Sequence, residues 1–187
     1  RRYRLHRALL HGRFLMTIQS LATYALLGRS GLRVSPLCLG AMTFGTDWGW
    51  GAPRETVFAL LDTYVAAGGN FVDTANMYEG YDRVAGSSGG VAEEIVGAAI
   101  TGARERYVVA TKLGMRVGTE PWDEFTSPEA IRIQLDRSLA RLKTDYVDVY
   151  YLHKPDPATP DDEIVVALDR ELRAGRIRSW AVSNFPL

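Results

Sequence analysis

Short apolar runs alternate with amphipathic helical patterns along most of this chain, and polar residues follow several of the runs directly. The runs are rich in valine and tyrosine, as buried strands are, and they include residues 71–72, 107–110 and 146–152. Such alternation is typical of an α/β protein whose strands run parallel. In a barrel of parallel strands, the carboxyl ends of all the strands meet at one mouth. The sequence therefore predicts that polar residues far apart along the chain converge on one pocket.

The patterning predicts a small hairpin followed by five β/α-type strands and four intervening helices. The hairpin covers residues 24–34, and Gly28 and Gly31 give its turn a permissive backbone. The predicted strands, the first of them short and buried, are residues 37–40, 71–73, 107–111, 146–152 and 177–182. Loops are predicted at residues 43–53 and 80–90. The first loop carries two tryptophans and either forms the wall of a pocket or folds over the barrel rim.

Start signals and apolar stripes define the helices. Ser127 before Pro128 predicts an N-cap, and Thr159 before Pro160 repeats that pattern for the last helix. The stripes predicted to face the sheet are Val57, Leu60, Leu61, Tyr64 and Val65; Val91, Ile95, Ala98 and Ala99; Ile131, Leu135, Leu139 and Leu142; and Val165, Leu168 and Leu172.

Composition limits the class of protein. The chain is 47% hydrophobic and 24% charged, which is ordinary for a globular protein. No apolar run approaches the roughly 20 residues that cross a bilayer, so no membrane partner is expected. The single cysteine, Cys38, cannot form an internal disulfide, which predicts a reducing compartment and a cytoplasmic location. Cys38 is interpreted as a small buried hydrophobe rather than a nucleophile, and no His/Cys spacing indicates a metal site.

The first fifteen residues differ from the rest of the chain in charge. They hold five arginines and no acidic residue, and the remainder holds 17 basic and 22 acidic residues, a net charge of −5. We therefore expect no nucleic-acid-binding surface on the main body. Residues 1–15 are interpreted as a non-native or disordered basic extension, although an organellar transit peptide would have a similar composition. Residues 16–187 are predicted to form the folded domain.

Side chains at the predicted strand ends carry the candidate chemistry. Tyr78 keeps its phenolic proton at neutral pH and can give it to a carbonyl oxygen that is gaining negative charge. An ammonium such as Lys112 would stabilise the phenolate left behind, and Asp73 would hold that ammonium in place. His153 could form a hydrogen bond to the same oxygen. No side chain supplies a hydride, so this set predicts a nicotinamide cofactor. Asp148, inside a predicted strand, is interpreted as structural.

These residues lie in motifs that resemble those of the aldo-keto reductase superfamily. The matching segments are Phe71-Val72-Asp73-Thr74-Ala75 with Tyr78, Ala110-Thr111-Lys112, the run from Asp148 to His153, and Ser183-Asn184. The resemblance extends from about residue 24 to residue 185. It implies an α/β fold of the TIM (β/α)8-barrel type. The barrel would be incomplete, with the hairpin and about five of its eight strands, because a whole barrel takes about 250 residues.

The resemblance also implies roles for individual residues. Tyr78 would be the proton donor, His153 would orient the substrate, and Lys112 with Asp73 would tune Tyr78. The cofactor would be NADPH, with NADH possible, and the residues that would contact it are Asp73, Ser183, Asn184, Gly40, Met42 and Thr43. The substrate would be a small aldehyde or ketone.

Two alternatives stay open: a non-catalytic, cofactor-sensing or regulatory barrel subunit, and an inactive truncated fragment. The sequence leaves the oligomeric state undetermined.

Overall fold

A β-hairpin begins the part of the chain that the computed structural model describes, which is residues 20–79 and 89–186. Strand β1 (Ala25–Leu26) pairs antiparallel with β2 (Arg33–Val34), as predicted. The turn glycines Gly28 and Gly31 have φ angles of 55° and 78°, in the left-handed region that glycine adopts at little cost. The basic extension at residues 1–15 and most of the loop expected at residues 80–90 lie outside the described residues.

In the described residues, the main sheet consists of five parallel strands that lie side by side in chain order. They are β3 (Cys38–Gly40), β4 (Phe71–Asp73), β5 (Val108–Leu113), β6 (Val147–Leu152) and β7 (Ile177–Val182). One α-helix connects each neighbouring pair: α1 (Arg54–Ala66), α2 (Val91–Ile100), α3 (Pro128–Leu142) and α4 (Asp161–Arg173). Short 3₁₀ helices occupy Arg104–Arg106 and Pro121–Asp123. The predicted five strands and four helices are confirmed.

The order of the strands determines the class of α/β fold. Each new strand is added on the same side of the previous one, so the sheet winds in a single direction. A barrel of β/α units winds in this way, whereas a doubly wound sheet reverses direction at a switch point. The described residues therefore form part of a barrel wall. None of the helices in residues 20–79 and 89–186 is long and apolar enough to cross a bilayer.

The larger hydrophobic core lies between the sheet and the helices. Tyr150 of β6, Leu135 of α3 and Leu168 of α4 are all 0% exposed within it. Burial of a large apolar side chain contributes roughly 1.5–3 kcal/mol, so this layer holds the helices on the sheet.

The opposite face of the sheet is covered at its N-terminal end by the hairpin. Asn70, just before β4, joins the two parts: its Nδ2 donates to the carbonyl oxygen of Arg33 at 2.9 Å, and its Oδ1 accepts from the N–H of Ser35 at 2.7 Å. A second buried cluster forms there from Val34, Phe71, Val108, Ala110 and Val149. The hairpin leaves the carboxyl ends of the strands open, and the predicted site residues lie at those ends.

Strand β3 is less buried than its composition predicts. Cys38 and Gly40 are exposed and Leu39 is half-buried, so the expectation of a buried strand with a buried cysteine is wrong. Within the described sheet β3 is an edge strand, with β4 on one side and no described strand on the other. An apolar composition cannot bury a strand that lacks a neighbour to cover it.

The buried face of α4 also differs from the prediction. Val165 and Leu172 are 46% and 38% exposed, and of the predicted stripe only Leu168 is buried; the buried residues of this helix are Ile164, Ala167, Leu168 and Glu171. The N-cap is Pro160, with no capping side chain, rather than Thr159. Two adjacent faces of α4 carry apolar residues, so the local pattern could not choose between them.

Helices α1 and α3 follow the predictions more closely. Ser127 caps α3 as expected, and its Oγ accepts from the N–H of Ala130 at 3.2 Å. In α1 the predicted Leu60 is 43% exposed, and the buried residues are Val57, Leu61 and Tyr64. In α2 only Ile95 of the predicted stripe is buried. Val91, Ala98 and Ala99 are half-buried, and the buried residues of this helix are Ala92, Glu93, Ile95, Val96, Gly97 and Ile100.

Candidate active site

The Lys112 ammonium lies at the centre of the candidate site. Lys112 is inside β5, one residue before the strand ends at Leu113, rather than beyond the end as expected. In the parallel register Asp73 of β4 pairs with Ala110, and Lys112 follows two residues later, on the same face of the sheet. Its Nζ donates to Asp73 Oδ2 at 2.6 Å and to the Tyr78 hydroxyl oxygen at 3.0 Å.

The hydrogen bonds of Lys112 determine which way protons point in the site. An ammonium group can donate three hydrogen bonds and can accept none. The third contact among the described residues is the Thr74 carbonyl oxygen, 2.9 Å from Nζ. With its side chain 8% exposed, Lys112 has little access to water. Because the Tyr78 oxygen accepts from Lys112, the phenolic proton of Tyr78 is left to point toward another acceptor.

His153 follows β6 and lies beside Tyr78. Its backbone N–H donates to the carbonyl oxygen of Leu113 at 2.9 Å, and its ring meets the Tyr78 ring edge-on, with centroids 6.0 Å apart. Burial, and then the charges of Lys112 and Lys154, lower the pKa of His153 to about 4. The ring is therefore neutral at pH 7, with one N–H donor and one acceptor nitrogen. Its Nδ1 is buried without a hydrogen-bond partner in the described structure.

Ser183 and Asn184 lie directly after β7, next to His153. The Asn184 Nδ2 donates to the His153 carbonyl oxygen at 2.8 Å and to Ser183 Oγ at 3.1 Å. Asn184 adopts a left-handed φ of 61°, which asparagine tolerates better than most residues. The structure thus brings these two of the six predicted cofactor residues to the same end of the sheet as Lys112.

Three more of the predicted cofactor residues, Gly40, Met42 and Thr43, lie at the end of β3. Gly40 pairs in register with Asp73, and a Cβ added to Gly40 would meet no atom within 4 Å. Met42 is 44% exposed, and Thr43 accepts the N–H of Ala52 on its carbonyl oxygen at 2.8 Å. There is therefore open space beside the Asp73 carboxylate.

The donor set at this mouth fits a nicotinamide ring. A carboxamide presents an N–H₂ donor and a carbonyl acceptor. The Ser183 hydroxyl can donate, and the Asn184 side-chain oxygen can accept. The open face beside Gly40 leaves room for a flat ring. Residues 20–79 and 89–186 include no cluster of three histidine, cysteine or acidic side chains arranged to hold a metal ion.

A loop with two tryptophans borders the mouth. We call residues 43–52 the tryptophan loop. It follows β3, and the rings of Trp48 and Trp50 are 5.7 Å apart between centroids and tilted by 38°. Trp50 is 44% exposed. The sequence left open whether this loop forms the wall of a pocket or covers the rim, and its place after a strand end puts it beside the candidate site.

Buried polar residues behind the site were missed by sequence reasoning. Glu93 of α2, 0% exposed, accepts from Thr111 Oγ1 at 2.5 Å and from Arg141 Nε at 2.6 Å. Thr111 directly precedes Lys112. On the other side, Asn76 Nδ2 donates to Gln134 Oε1 at 2.6 Å. These partners are 18 to 58 residues apart, so no local pattern could have indicated them.

Comparison with known proteins identifies the family. A sequence model described as "Aldo/keto reductase family" matches residues 36–187, and the chain belongs to this family. Norsolorinic acid reductase stcV from Emericella nidulans is 37% identical over 166 residues, covering 84% of this chain and 41% of that protein. For 6-dehydroglucose reductase from Novosphingobium aromaticivorans, the identity is 37% over 162 residues, covering 85% of this chain and 50% of that protein.

A solved structure shows the same fold. The holo form of aldo-keto reductase AKR11C1 from Bacillus halodurans superposes with a TM-score of 0.72 at 33% sequence identity, covering 87% of this chain and 50% of that chain. The described residues are therefore a partial TIM barrel of this family, as the sequence predicted. The chain spans about half the length of the proteins it matches.

Proposed function

We propose that the protein reduces the carbonyl group of a small aldehyde or ketone, with a reduced nicotinamide cofactor and with Tyr78 as proton donor. The observation that carries this proposal is the Lys112 ammonium between Asp73 Oδ2, at 2.6 Å, and the Tyr78 oxygen, at 3.0 Å. This geometry commits the Tyr78 oxygen as an acceptor and frees its own proton for a substrate oxygen.

Each of the four side chains has a role in the proposed proton transfer. Tyr78 gives its proton to the carbonyl oxygen as negative charge develops there. The positive charge of Lys112 stabilises the phenolate that remains, more strongly than it would in bulk water because the ammonium is buried. Asp73 holds the Lys112 ammonium in place through their hydrogen bond of 2.6 Å. The neutral His153 ring donates its N–H to the same carbonyl oxygen and so orients the substrate.

The proposed cofactor is NADPH, with NADH as the alternative, and membership of the family supports a nicotinamide. The bound cofactor supplies the hydride that no side chain can give. We propose that Ser183 and Asn184 bind its carboxamide and that the residues lining its ring are Asp73, Gly40, Met42 and Thr43. The relatives named as reductases support a carbonyl substrate, which for the whole protein remains our proposal.

The test compares Tyr78→Phe with the parent in the full-length protein, across aldehydes and ketones and with NADPH and NADH in turn. We expect kcat to fall about 10²–10⁴-fold, while binding of the nicotinamide is retained. Tyr24→Phe is the matched control, because Tyr24 lies in the hairpin and is 38% exposed. Full activity in Tyr78→Phe would contradict the assignment of the proton donor. Cofactor binding without turnover by the parent would favour the non-catalytic alternative.

A further inference from the structure

Residues 74–78 follow β4 and contact Lys112 at three points. The Lys112 Nζ donates to the Thr74 carbonyl oxygen at 2.9 Å and to the Tyr78 hydroxyl oxygen at 3.0 Å. Between these two residues, the backbone N–H of Asn76 donates to the Lys112 carbonyl oxygen at 3.2 Å. The position of the Tyr78 oxygen relative to the Lys112 ammonium therefore depends on how this short segment is held against β5.

The side chain of Asn76 attaches this segment to helix α3. Asn76 and Gln134 are each 1% exposed, and Asn76 Nδ2 donates to Gln134 Oε1 at 2.6 Å. Gln134 Nε2 donates in turn to the carbonyl oxygen of Trp122 at 2.7 Å. Because a backbone carbonyl oxygen can only accept, the Gln134 amide has a single orientation, with its nitrogen toward Trp122 and its oxygen toward Asn76.

The same Gln134 oxygen also contacts the chain just after the strand that carries Lys112. The backbone N–H of Gly114 donates to Gln134 Oε1 at 3.5 Å, a long hydrogen bond, and Gly114 follows Lys112 by two residues. Asn76, the other donor, precedes Tyr78 by two residues. An amide oxygen has two lone pairs and can accept from both donors. Gln134 therefore connects the two segments whose relative position sets the distance between the Tyr78 oxygen and the Lys112 ammonium.

We propose that Gln134 is a positioning residue for the proton transfer from Tyr78. By holding Asn76 against the end of β5, it sets the geometry in which the phenol meets the Lys112 ammonium and the substrate oxygen. Gln134 is 1% exposed, so it acts through these neighbours and not by contact with a substrate. A misplacement of about 1 Å can cost about 10²-fold in rate. This inference rests on the proposed carbonyl reductase function and adds a residue outside the four that carry the chemistry.

The first experiment follows oxidation of NADPH or NADH, whichever the parent uses, in a single turnover of the full-length protein with nitrobenzaldehyde. Gln134→Met keeps a side chain of similar length and removes the amide hydrogen bonds. We expect the single-turnover rate to fall about tenfold or more, because the phenol and the ammonium lose their common support. Affinity for the cofactor, measured by its fluorescence without aldehyde, should stay within about twofold. An unchanged single-turnover rate in Gln134→Met would overturn the proposal.

Ser138→Ala is the matched control in the same helix. Ser138 is 0% exposed, and its hydroxyl has no hydrogen-bond partner among the described residues. The substitution therefore removes a buried polar group from α3 without breaking a contact to the site, and we expect the parent rate. Equal losses of rate in Ser138→Ala and Gln134→Met would show that the rate responds to any change in α3, and would overturn the proposal.

A double-mutant cycle separates positioning of the phenol from general damage to the fold. In the Tyr78→Phe background the phenolic hydroxyl is already absent, so adding Gln134→Met should lower the residual single-turnover rate by less than about twofold. A residue that supports only the fold would lower the rate by the same factor in both backgrounds. That additive result would overturn the proposal.

A second variant keeps the proposal testable if Gln134→Met fails to fold. Asn76→Ala breaks the same contact from the other side and leaves the hydrogen bonds of Gln134 with Trp122 and Gly114 in place. We expect a similar fall in the single-turnover rate, and again almost no further loss in the Tyr78→Phe background. An unchanged rate in Asn76→Ala, or an additive loss, would overturn the proposal.

Hydrogen exchange tests the attachment without turnover. In Gln134→Met and in Asn76→Ala, peptides that cover residues 71–79 should exchange at least about tenfold faster than in the parent, because the segment loses its hold on α3. Peptides from β6 and β7 should keep the parent rates. Equal exchange of residues 71–79 in the parent and both variants would overturn the proposal. A parent that reduces no carbonyl compound would refute the proposed function, whereas an active parent with unchanged rates in both variants would refute only the role of Gln134.

Discussion

Single hydrogen bonds determine which groups in the candidate site can donate a proton to a substrate. Lys112 donates to the Tyr78 oxygen at 3.0 Å, so the proton of Tyr78 points elsewhere. His153, beside it, is neutral at pH 7 because burial and two nearby ammonium groups lower its pKa to about 4. A neutral imidazole can donate to a carbonyl oxygen without competing with Tyr78 as the acid. The residues themselves could be read from the sequence, but these protonation states depend on burial.

The lowered pKa of His153 makes folding stability depend on pH. Its pKa is about 4 in the folded chain and about 6.5 in an unfolded one. As the pH falls from about 6.5 to 4, the unfolded chain takes up this proton first, so stability is lost across that window. His153→Gln removes the titration. In the full-length protein we expect the urea midpoint of this variant to fall less than that of the parent over the same range.

An exposed substitution serves as the control for this pH experiment. Lys143→Gln changes an exposed side chain and leaves His153 in place. Its urea midpoints should decline with pH in parallel with those of the parent. A parallel decline in His153→Gln as well would contradict the assigned origin of the pH dependence.

At the level of elements, one buried carboxylate joins three neighbouring strands. Asp148 of β6 is 0% exposed. It accepts from Arg104 Nη2 at 2.7 Å, from Arg178 Nη1 at 3.0 Å, and from the backbone N–H of Val109 in β5 at 2.9 Å. Arg178 belongs to β7, so β5, β6 and β7 are held together at this point. The geometry supports the structural role inferred for Asp148 from its place inside a strand.

Asp148→Asn should destabilise the fold strongly. Removing one partner of a buried ion pair leaves an uncompensated charge and costs about 3–5 kcal/mol. Asp136→Asn is the matched control, because Asp136 is 48% exposed in its pairs with Arg132 and Arg176 and exposed pairs contribute about 0–1 kcal/mol. Urea unfolding of the full-length protein measures both. Similar losses of stability in the two variants would contradict the role of Asp148.

Strand positions were easier to predict than helix faces, and α4 shows the reason. A run of apolar residues buried on both sides identifies a strand of a parallel sheet regardless of its register. A helix must also choose which stripe faces the sheet. In α4, Val165 and Ile164 are adjacent apolar residues on neighbouring faces, and packing buries Ile164 while leaving Val165 46% exposed.

Across the whole molecule, the described residues leave apolar surface uncovered on one side. Val166 of α4 is 61% exposed, and Trp180 and Val182 of β7 are 40% and 46% exposed. Strand β7 is an edge of the described sheet, with β6 as its neighbour. Unpaired strand edges and contiguous apolar surface favour association with another chain or segment.

A polypeptide of residues 16–187 on its own should therefore self-associate and lack steady-state carbonyl reduction. We expect its sedimentation coefficient to rise with concentration, because exposed β7 and α4 surfaces pair between copies. Val182→Lys places a charge on that edge and should lower the association. A monomer at all concentrations, with a cooperative melt and measurable turnover, would contradict this prediction.

The sequence by itself determined the order of strands and helices, the family, and the residue types gathered at the strand ends. These depend on local spacing: apolar runs define strands, and Asp73, Lys112 and His153 lie at or near the ends of those runs. Only the tertiary structure decided which helix faces are buried, the exposure of Cys38, and the contact of Thr111 with Glu93. These depend on contacts between segments that are far apart along the chain, and hydrogen-bond geometry and desolvation exist only once those segments pack.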